Sequence, residues 1–404
     1  MKIFPIAGIL LALAPVQNTG AAATQDWPLP SMASAAQPSL SQSPDGNLSL
    51  SWIEKTENGH RLQFSRYQKN RWSSPVTISQ GSNWFVNWAD FPSTTALADG
   101  TLWAHNLVKS DNGTYAYDVV LYRSIDGGKH WSAPVTVHDD GTKTEHGFVS
   151  LWPWSKSELG IAWLDGRQTA GSAGHEHGAG GKAMSLRAAV INRSGVKRQE
   201  WALDTRTCDC CQTDSALTEK GPIVIYRDRD PNEIRDIYTT RFTQNRWQTP
   251  TPVADDHWTM PACPVNGPAI AAKGAAVWAA WYTGAGGKAS VRLAYSGNSG
   301  ESFGRNITVK SGPEIQGRTE LATDGKNAWL LWTEEQNKQQ LILQRFDARL
   351  DKKGPPQTLA VLSGRGRATG FARMHYLNGK LYTVWTDIVA GKPVLRGAQV
   401  AVSE

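Results

Sequence analysis

Seven apolar runs along the chain end in an aromatic residue that is followed, two positions later, by a polar and usually acidic side chain. Successive aromatic residues of this phrase lie 51, 60, 63, 55, 51 and 53 positions apart. A recurring unit of about 50 residues that is rich in short apolar runs is typical of a β-propeller, in which each unit forms one blade. The pairs are Trp52/Glu54, Trp103/His105, Trp163/Asp165, Tyr226/Asp228, Trp281/Thr283, Trp332/Glu334 and Trp385/Asp387.

Within each unit the pattern predicts four antiparallel strands. Asp-Gly or Asn-Gly dipeptides such as Asp99-Gly100 and Asn378-Gly379 separate the first two strands, because these residues tolerate the positive φ of a tight hairpin turn. A Trp-x-x-Pro phrase, as at Trp72 and Trp131, precedes the fourth strand. First strands are predicted to begin near residues 38, 92, 148, 213, 267, 319 and 371, so the fold class is an all-β, seven-bladed β-propeller.

The two ends of the chain are predicted to meet in the last blade. The seventh unit lacks its own Trp-x-x-Pro strand, whereas Trp27-Pro-Leu-Pro stands near the N-terminus. We therefore expect an N-terminal strand to close the last blade, which removes the free sheet edges that invite aggregation. Residues 24–404 are predicted to form this single propeller domain.

Residues 1–23 have the pattern of a cleaved signal peptide. Lys2 supplies a positive charge, Ile6 to Ala14 form a short apolar stretch, and Ala21 to Ala23 form a small-residue cleavage site. The protein is therefore predicted to be periplasmic or secreted. Apolar stretches here are shorter than the roughly 20 residues of a membrane span, so stable membrane insertion is not expected.

Charge and composition limit the partners of this chain. Its 42 Lys and Arg residues against 36 Asp and Glu give a net charge of +6, and the basic residues are scattered rather than clustered. This pattern does not favour nucleic-acid binding. It permits a small-molecule or glycan ligand, anionic or not, and it identifies no protein partner.

One segment links the chain to a known family. Ser124, Asp126, Gly128 and Trp131 match the Asp-box pattern S-x-D-x-G-x-x-W, and residues 296–303 form a degenerate copy. Here the chain resembles the sialidase-like propellers that carry bacterial neuraminidase repeats. The resemblance implies a propeller fold, with a six-bladed form as the alternative, and an exo-acting sialidase-type activity. It also implies that the Asp-box is a structural turn between third and fourth strands, away from the catalytic side.

The loops that break the repeat lie on one side of the predicted propeller. In an antiparallel blade, the loops before first strands and after second strands share one face, which we call the ligand face. The loop before blade four, the loop before blade five and the long loop of blade three all lie there. Together they offer Cys208, Cys210, Cys211, Met260, Cys263, His175 and His177.

Two chemistries compete for these side chains. Thiolate and thioether groups suit Cu(I), and imidazole suits copper or zinc, so a metal or redox site between blades three, four and five is one hypothesis. An exported protein with four cysteines also commonly forms disulfides, and a bond from the Cys208 loop to Cys263 would staple adjacent blades.

The family resemblance implies a third possibility, an exo-acting glycoside hydrolase of the sialidase type. Such enzymes use arginines to hold the substrate carboxylate and a tyrosine as nucleophile, with carboxyl groups in acid and base roles. Three hypotheses therefore remain: a propeller with a metal or redox centre, a glycosidase, and a non-catalytic binding propeller with a structural disulfide. The candidate glycosidase residues are Asp165, Arg167, Asp228, Arg229, Tyr282, Arg318 and Arg367.

Overall fold

The computed structural model describes residues 23–31, 33–171 and 181–402. Nearly all regular structure in these residues is β-strand, arranged as seven separate antiparallel sheets. The predicted signal peptide lies outside the described residues except for Ala23. None of the helices in the described part of the chain has the length and apolar character needed to cross a membrane. The three short 3-10 helices are Arg167–Thr169, Ala285–Gly287 and Arg367–Thr369.

Each of the first four blades contains consecutive strands that pair in sequence order, except that the last strand of blades one and four pairs with the third strand of its blade. Blade one contains β2 (Ala35–Gln42), β3 (Leu48–Thr56), β4 (Gly59–Gln68), β5 (Arg71–Trp72) and β6 (Val76–Gly81). Blade two contains β7 (Thr94–Ala96), β8 (Leu102–Lys109), β9 (Tyr117–Ser124) and β10 (Val135–Thr136). Blade three contains β11 (His146–Pro153), β12 (Leu159–Asp165), β13 (Met184–Ile191) and β14 (Lys197–Thr207). Blade four contains β15 (Asp214–Thr218), β16 (Gly221–Arg227), β17 (Ile237–Thr243), β18 (Arg246–Trp247) and β19 (Thr251–Pro252).

The last three blades follow the same order, except that the seventh borrows a strand from the N-terminus. Blade five contains β20 (Ala269–Lys273), β21 (Ala276–Thr283), β22 (Ser290–Ser296) and β23 (Asn306–Ser311). Blade six contains β24 (Ile315–Thr323), β25 (Asn327–Glu335), β26 (Gln339–Asp347) and β27 (Gln357–Val361). Blade seven contains β28 (Arg373–Leu377), β29 (Lys380–Val389), β30 (Lys392–Ala401) and β1 (Thr24–Asp26).

The seven-bladed prediction is confirmed, and the six-bladed alternative is wrong. First strands begin within four residues of their predicted positions, the largest difference being Ile315 against residue 319. The first strands of neighbouring blades contact one another around the ring, so they line its centre. The hydrophobic clusters lie between adjacent sheets, which is where a propeller buries both faces of its blades.

The ring is closed by the N-terminal strand, as predicted. Strand β1 pairs with β30 in a register that sets Thr24 opposite Val400. Directly after it, the Trp27 backbone N–H donates to the Gly397 carbonyl at 3.0 Å. The Trp27 ring is only 3% exposed and packs against Tyr67 and Trp72 of blade one and Tyr382 of blade seven, at centroid distances of 4.8–5.1 Å. A single short segment therefore joins the first and last blades.

The repeated aromatic–acid phrase forms a hydrogen bond inside the blade. The indole N–H donates to the acid two residues later in Trp52/Glu54 at 3.0 Å and in Trp163/Asp165 at 2.8 Å. Trp332/Glu334 makes the same bond at 2.9 Å. Asp387 instead accepts backbone N–H groups of the neighbouring loop. These acids satisfy buried donors at the ends of second strands, which explains their repetition without a catalytic role.

The predicted Asp-box segment forms a hydrogen-bonded turn between β9 and β10. The Ser124 hydroxyl donates to Asp126 at 2.8 Å and accepts the Gly128 N–H at 2.9 Å. Asp126 accepts the His130 N–H at 3.0 Å, and the Trp131 indole donates to the Gly128 carbonyl at 3.2 Å. The turn connects third and fourth strands, so it lies on the side of the propeller opposite the ligand face.

Replacing Trp27 by alanine should lower the free energy of unfolding by about 3–5 kcal/mol, the usual range for a buried tryptophan. The reason is that the indole fills the junction between blades one and seven. Denaturant unfolding of the variant and the parent protein measures this. Ile125→Ala is the control, since Ile125 is 61% exposed and should change stability by less than about 0.5 kcal/mol. Equal effects of the two substitutions would contradict the role of Trp27 in closure.

Candidate functional site

Three cysteines meet in the loop between β14 and β15. The Cys208 Sγ lies 3.2 Å from that of Cys211 and 3.9 Å from that of Cys210, and the three sulfur atoms all lie within 4.8 Å of one another. All three side chains are buried, and half-buried Cys263 packs against the same cluster. All four cysteines are thiols in this structure, so the stapling disulfide expected from the sequence is not formed here.

Polar side chains connect this thiol loop to its neighbours by hydrogen bonds. One oxygen of Asp209 accepts the first backbone N–H of β13 at 2.8 Å, and the other accepts Arg229 at 3.0 Å. The Gln212 amide donates to the Ala89 carbonyl at 2.6 Å and accepts the Gly267 N–H at 2.9 Å. The loop is therefore tied to blade three and to the loops that precede blades two and five.

Three buried arginines surround the thiols. Arg229 and Arg235 both pair with Glu233, at 2.8 and 2.7 Å, and Arg235 also donates to the Cys208 Sγ at 3.2 Å. Arg227 differs, because its hydrogen bonds to described residues go to backbone carbonyls, among them Asn266 at 2.9 Å. Its positive charge is thus not matched by a carboxylate in those hydrogen bonds.

The thiols titrate unequally. Burial raises the pKa of Cys208 to about 11. Burial also acts to raise the pKa of Cys211, but hydrogen bonds from Cys208 and Cys210, together with the charge of Arg227, hold it well below the ordinary range of a thiol. The loop therefore favours one thiolate, at Cys211, next to a buried guanidinium.

The other predicted metal ligands have different outcomes. Met260 lies in the loop before blade five, where its backbone N–H donates to the Glu233 carbonyl at 2.9 Å. Histidines 175 and 177, predicted to join the cysteines, lie outside the described residues. The structure therefore brings together the thiol half of the predicted ligand set.

Asp165 and Arg167, the first candidate glycosidase pair, bind each other. The Arg167 guanidinium forms two bonds of 2.7 Å to the Asp165 carboxylate, and it reaches Glu200 at 3.2 Å. Burial acts to raise the pKa of Asp165, but the hydrogen bonds of Arg167 lower it overall. Trp163 donates to the same carboxylate. Both side chains are thus engaged within blade three.

The candidates in blades four and five are also held by neighbours. Burial, together with the adjacent charge of Asp204, raises the pKa of Asp228 to about 8. Arg229 is buried in its ion pairs with Asp209 and Glu233. The Tyr282 ring packs edge-on against Trp258 at a centroid distance of 5.6 Å, and burial raises the pKa of its hydroxyl.

Arg318 and Arg367 flank an indole ring near the centre of the ligand face. Their guanidinium carbons lie 5.1 and 5.9 Å from the centroid of Trp88, which is itself stacked on Phe371. Arg318 is buried and donates to Thr369 at 2.9 Å, whereas Arg367 is exposed. The four candidate arginines therefore have separate local partners, with Arg167 and Arg229 in blades three and four and the other two beside Trp88.

The sequence did not predict a second polar cluster, between blades two and three. Two buried imidazoles, His138 and His146, stack face to face with centroids 3.6 Å apart and an interplanar angle of 5°. Carboxylates lie at their edges: Asp140 is 3.0 Å from His138, and Asp118 is 3.5 Å from it. The clue was available, because two histidines eight residues apart flank an acidic loop before the first strand of blade three.

A buried phenol beside this cluster bridges two carboxyl groups. The Tyr117 hydroxyl lies 2.6 Å from Glu145 and 3.0 Å from Asp90. One hydroxyl proton can be donated to only one of these acceptors, so both contacts are hydrogen bonds only when the other carboxyl carries a proton. Burial raises the pKa of Asp90 to about 7, so protonated Asp90 is the form favoured below neutral pH. The Gly147 backbone approaches so closely that an added Cβ would lie 2.0 Å from an Asp90 oxygen.

Asp90 also lines a cavity of about 180 Å³ at the centre of the ring, together with Asp214 and Arg373. This volume is below the roughly 300–1,000 Å³ of typical ligand pockets. The central cavity is therefore large enough for water molecules but small for a sugar.

Comparisons with known proteins support the fold. No protein-family model matches the chain, and no curated protein matches it. A protein of unknown function from Dyadobacter fermentans matches with a TM-score of 0.52 and 12% identity, over 94% of this chain and 99% of that one. The phage phi92 endosialidase matches with a TM-score of 0.48 and 11% identity, over 95% and 69%. The NanB sialidase from Streptococcus pneumoniae gives 0.44 and 11%, over 91% and 68%. At such identities the likeness shows the fold alone.

Replacing Asp90 by asparagine should make the protein relatively more stable as pH rises. A folded pKa of about 7 against about 4 in the unfolded chain means that wild-type stability declines between these pH values, whereas asparagine does not titrate. The asparagine can still accept the Phe148 N–H and donate to Tyr117. The gap in unfolding free energy between variant and parent should widen by on the order of 2–4 kcal/mol from pH 4 to pH 8. A gap that stays constant in denaturant unfolding across this range would contradict a protonated Asp90.

Proposed function

We propose that this protein is an exported propeller that binds Cu(I) on its ligand face through the thiol cluster of Cys208, Cys210 and Cys211. The observation that carries the proposal is the convergence of three buried sulfur atoms within 4.8 Å on one loop. Soft thiolate ligands select Cu(I) over the harder ions that prefer oxygen. Zinc also binds thiolates, but structural zinc sites commonly have four protein ligands, and the spacing of those ligands along the chain differs from C-x-C-C.

Charge balance around the loop is compatible with a thiolate-bound Cu(I) ion. Arg229 and Arg235 are offset by Asp209 and Glu233, whereas the hydrogen bonds of Arg227 go to carbonyls and leave its positive charge available to the sulfur atoms beside it. Cu(I) held by two thiolates carries one net negative charge. That charge would neutralise Arg227 without placing an unpaired ion in a buried site.

The sialidase-type glycosidase is less favoured by the same geometry. A sialidase needs guanidinium groups that are available to a substrate carboxylate. Arg229 is already bound by two carboxylates and Arg167 by three. The Trp88 region with Arg318 and Arg367 remains our candidate surface for an anionic small-molecule or glycan ligand, because an exposed cation beside an aromatic ring suits such ligands.

A reversible dithiol is the second candidate function. Cys208 and Cys211 form a C-x-x-C pair whose sulfur atoms are 3.2 Å apart, so disulfide formation requires little movement. In this reaction the two thiols of Cys208 and Cys211 lose two electrons and two protons and form a disulfide. The electrons and protons pass to an external disulfide, which is reduced to two thiols.

Metal-stripped, reduced protein should take up one equivalent of Cu(I) under anaerobic conditions and hold it against a chromophoric Cu(I) chelator. Cys208→Ser and Cys211→Ser should weaken binding by at least about tenfold, as expected when a ligand is lost. Cys263→Ser is the matched control, because it removes a thiol but leaves the cluster of three intact. The measurement is chelator absorbance against protein concentration, with far-UV circular dichroism to confirm folding.

The outcomes separate the two candidates. Copper binding that is lost in Cys263→Ser but kept in Cys208→Ser would reject the three-cysteine site. Failure of the wild-type protein to compete for Cu(I), with a Cys208–Cys211 disulfide forming reversibly in glutathione buffers, would reject copper binding and support the dithiol.

A further inference from the structure

Hydrogen bonds of two kinds cross the seams between neighbouring blades, where the first strands meet at the centre of the ring. In three seams a carboxyl group of one blade accepts a backbone N–H from the first strand of the next blade. These seams join blades two and three, four and five, and six and seven, so they alternate round the ring. The pairs are Asp90 with the Phe148 N–H at 2.8 Å, Asp214 with the Ile270 N–H at 2.9 Å and Glu320 with the Met374 N–H at 3.1 Å.

The other four seams are crossed by hydroxyl, amide or imidazole groups. Burial lowers the pKa of His375, the titratable member of this set, to about 4, so it is uncharged above that pH. The intervening contacts are Ser41–Thr94 at 3.4 Å, Ser150–Thr213 at 2.7 Å, Asn266 with the Arg318 N–H at 2.7 Å and His375–Gln42 at 2.9 Å.

The three carboxyl groups have little countercharge. Glu320 lies 3.1 Å from the Arg373 guanidinium, whose charge also acts on Asp214. Asp90 faces the Tyr117 hydroxyl, which Glu145 also contacts. One arginine would therefore stand against three carboxylates if all three carboxyl groups ionised, and burying unbalanced charge is unfavourable.

Proton binding links these groups to the closure of their seams. Burial raises the pKa of Asp90 and that of Glu320 to about 7, and it raises the pKa of Asp214 as well. An opened seam exposes its carboxyl to water, where the pKa is about 4. The closed seam thus keeps a proton that the opened seam loses, so opening becomes more favourable as pH rises from about 4 to about 7.

We propose that the three carboxyl seams form a pH-sensitive device, closed when Asp90, Asp214 and Glu320 are protonated and loosened when they ionise. The cavity of about 180 Å³ beside Asp90 and Asp214 gives water access to the ionised groups. The ligand face follows this change, because Trp88 and Arg318 lie two residues before Asp90 and Glu320. The loops around the Trp88 surface are therefore held most firmly in a mildly acidic medium.

Amide hydrogen exchange at single-residue resolution tests the device directly. We expect protection of the Phe148, Ile270 and Met374 amides, corrected for the intrinsic exchange rate, to fall at least about tenfold from pH 5 to pH 7.5. Two amides serve as internal controls, because their acceptors are the Thr386 hydroxyl and the Asn266 amide oxygen, which do not titrate here. Protection of these amides, those of Gln37 and Arg318, should change by less than about threefold.

Amide variants separate the seams, since they keep an acceptor oxygen but cannot ionise. Asp90→Asn should make the protection of Phe148 independent of pH while Met374 still responds, and Glu320→Gln should do the reverse. Glu301→Gln is the control, because the Glu301 side chain is 57% exposed, and it should leave both pH profiles as they are in the parent protein.

Three results would overturn the proposal. The first is protection of the three carboxyl-bound amides that does not vary with pH. The second is an equal pH dependence at Gln37, which would mean that the whole chain opens rather than these seams. The third is a pH response of Phe148 or Met374 that persists in the corresponding amide variant. All measurements use reduced, metal-free protein, so they do not depend on whether the thiol loop binds copper.

Discussion

Hydrogen bonding between β1 and β30 turns six complete sheets and an incomplete seventh into a closed ring. Trp27 adds a packing contact to this pairing, because its ring contacts aromatic side chains of both the first and the last blade. A propeller positions its ligand face only if the angle between neighbouring blades is fixed all the way round. The loops of blades two to five can therefore hold buried side chains at hydrogen-bonding distance because the chain ends are joined elsewhere in the ring.

Several charged side chains are buried at the ligand face, whereas the clusters between the blades are apolar. Arginines 227, 229 and 235 are buried beside the thiols, and three carboxylates surround the stacked histidines. Burying such groups is unfavourable unless each charge has a counterpart. Side-chain partners account for most of them. Beside the thiols, Arg227 instead makes its hydrogen bonds to backbone carbonyls, and its charge acts on Cys211.

Repetition decided what the sequence could predict. Blade number, strand order and closure follow from a phrase that occurs seven times, so small errors at single positions did not matter. The Cys208 loop was recognisable because it interrupts that phrase. The His138–His146 stack was not, since eight residues between two histidines match no established motif and the nearby Asp118 comes from a strand of another blade. The sequence indicated a structural role for the repeated acids but did not identify their hydrogen-bond donor. Glu54 and Asp165 each accept the indole N–H of the tryptophan two residues earlier in the same strand. Tyr117 and Glu145 are brought together by packing between blades, which no local pattern encodes.

Arg227 gives the thiol loop a mechanical connection to the next blade. It donates at 2.9 Å to the carbonyl of Asn266, which precedes blade five, and at 2.7 Å to that of Tyr282, at the end of its second strand. The charge of the same guanidinium helps to lower the pKa of Cys211. The side chain that joins blades four and five is thus the same one whose charge lowers the pKa of Cys211, so the contact between these blades and the acidity of the thiol loop depend on a single residue.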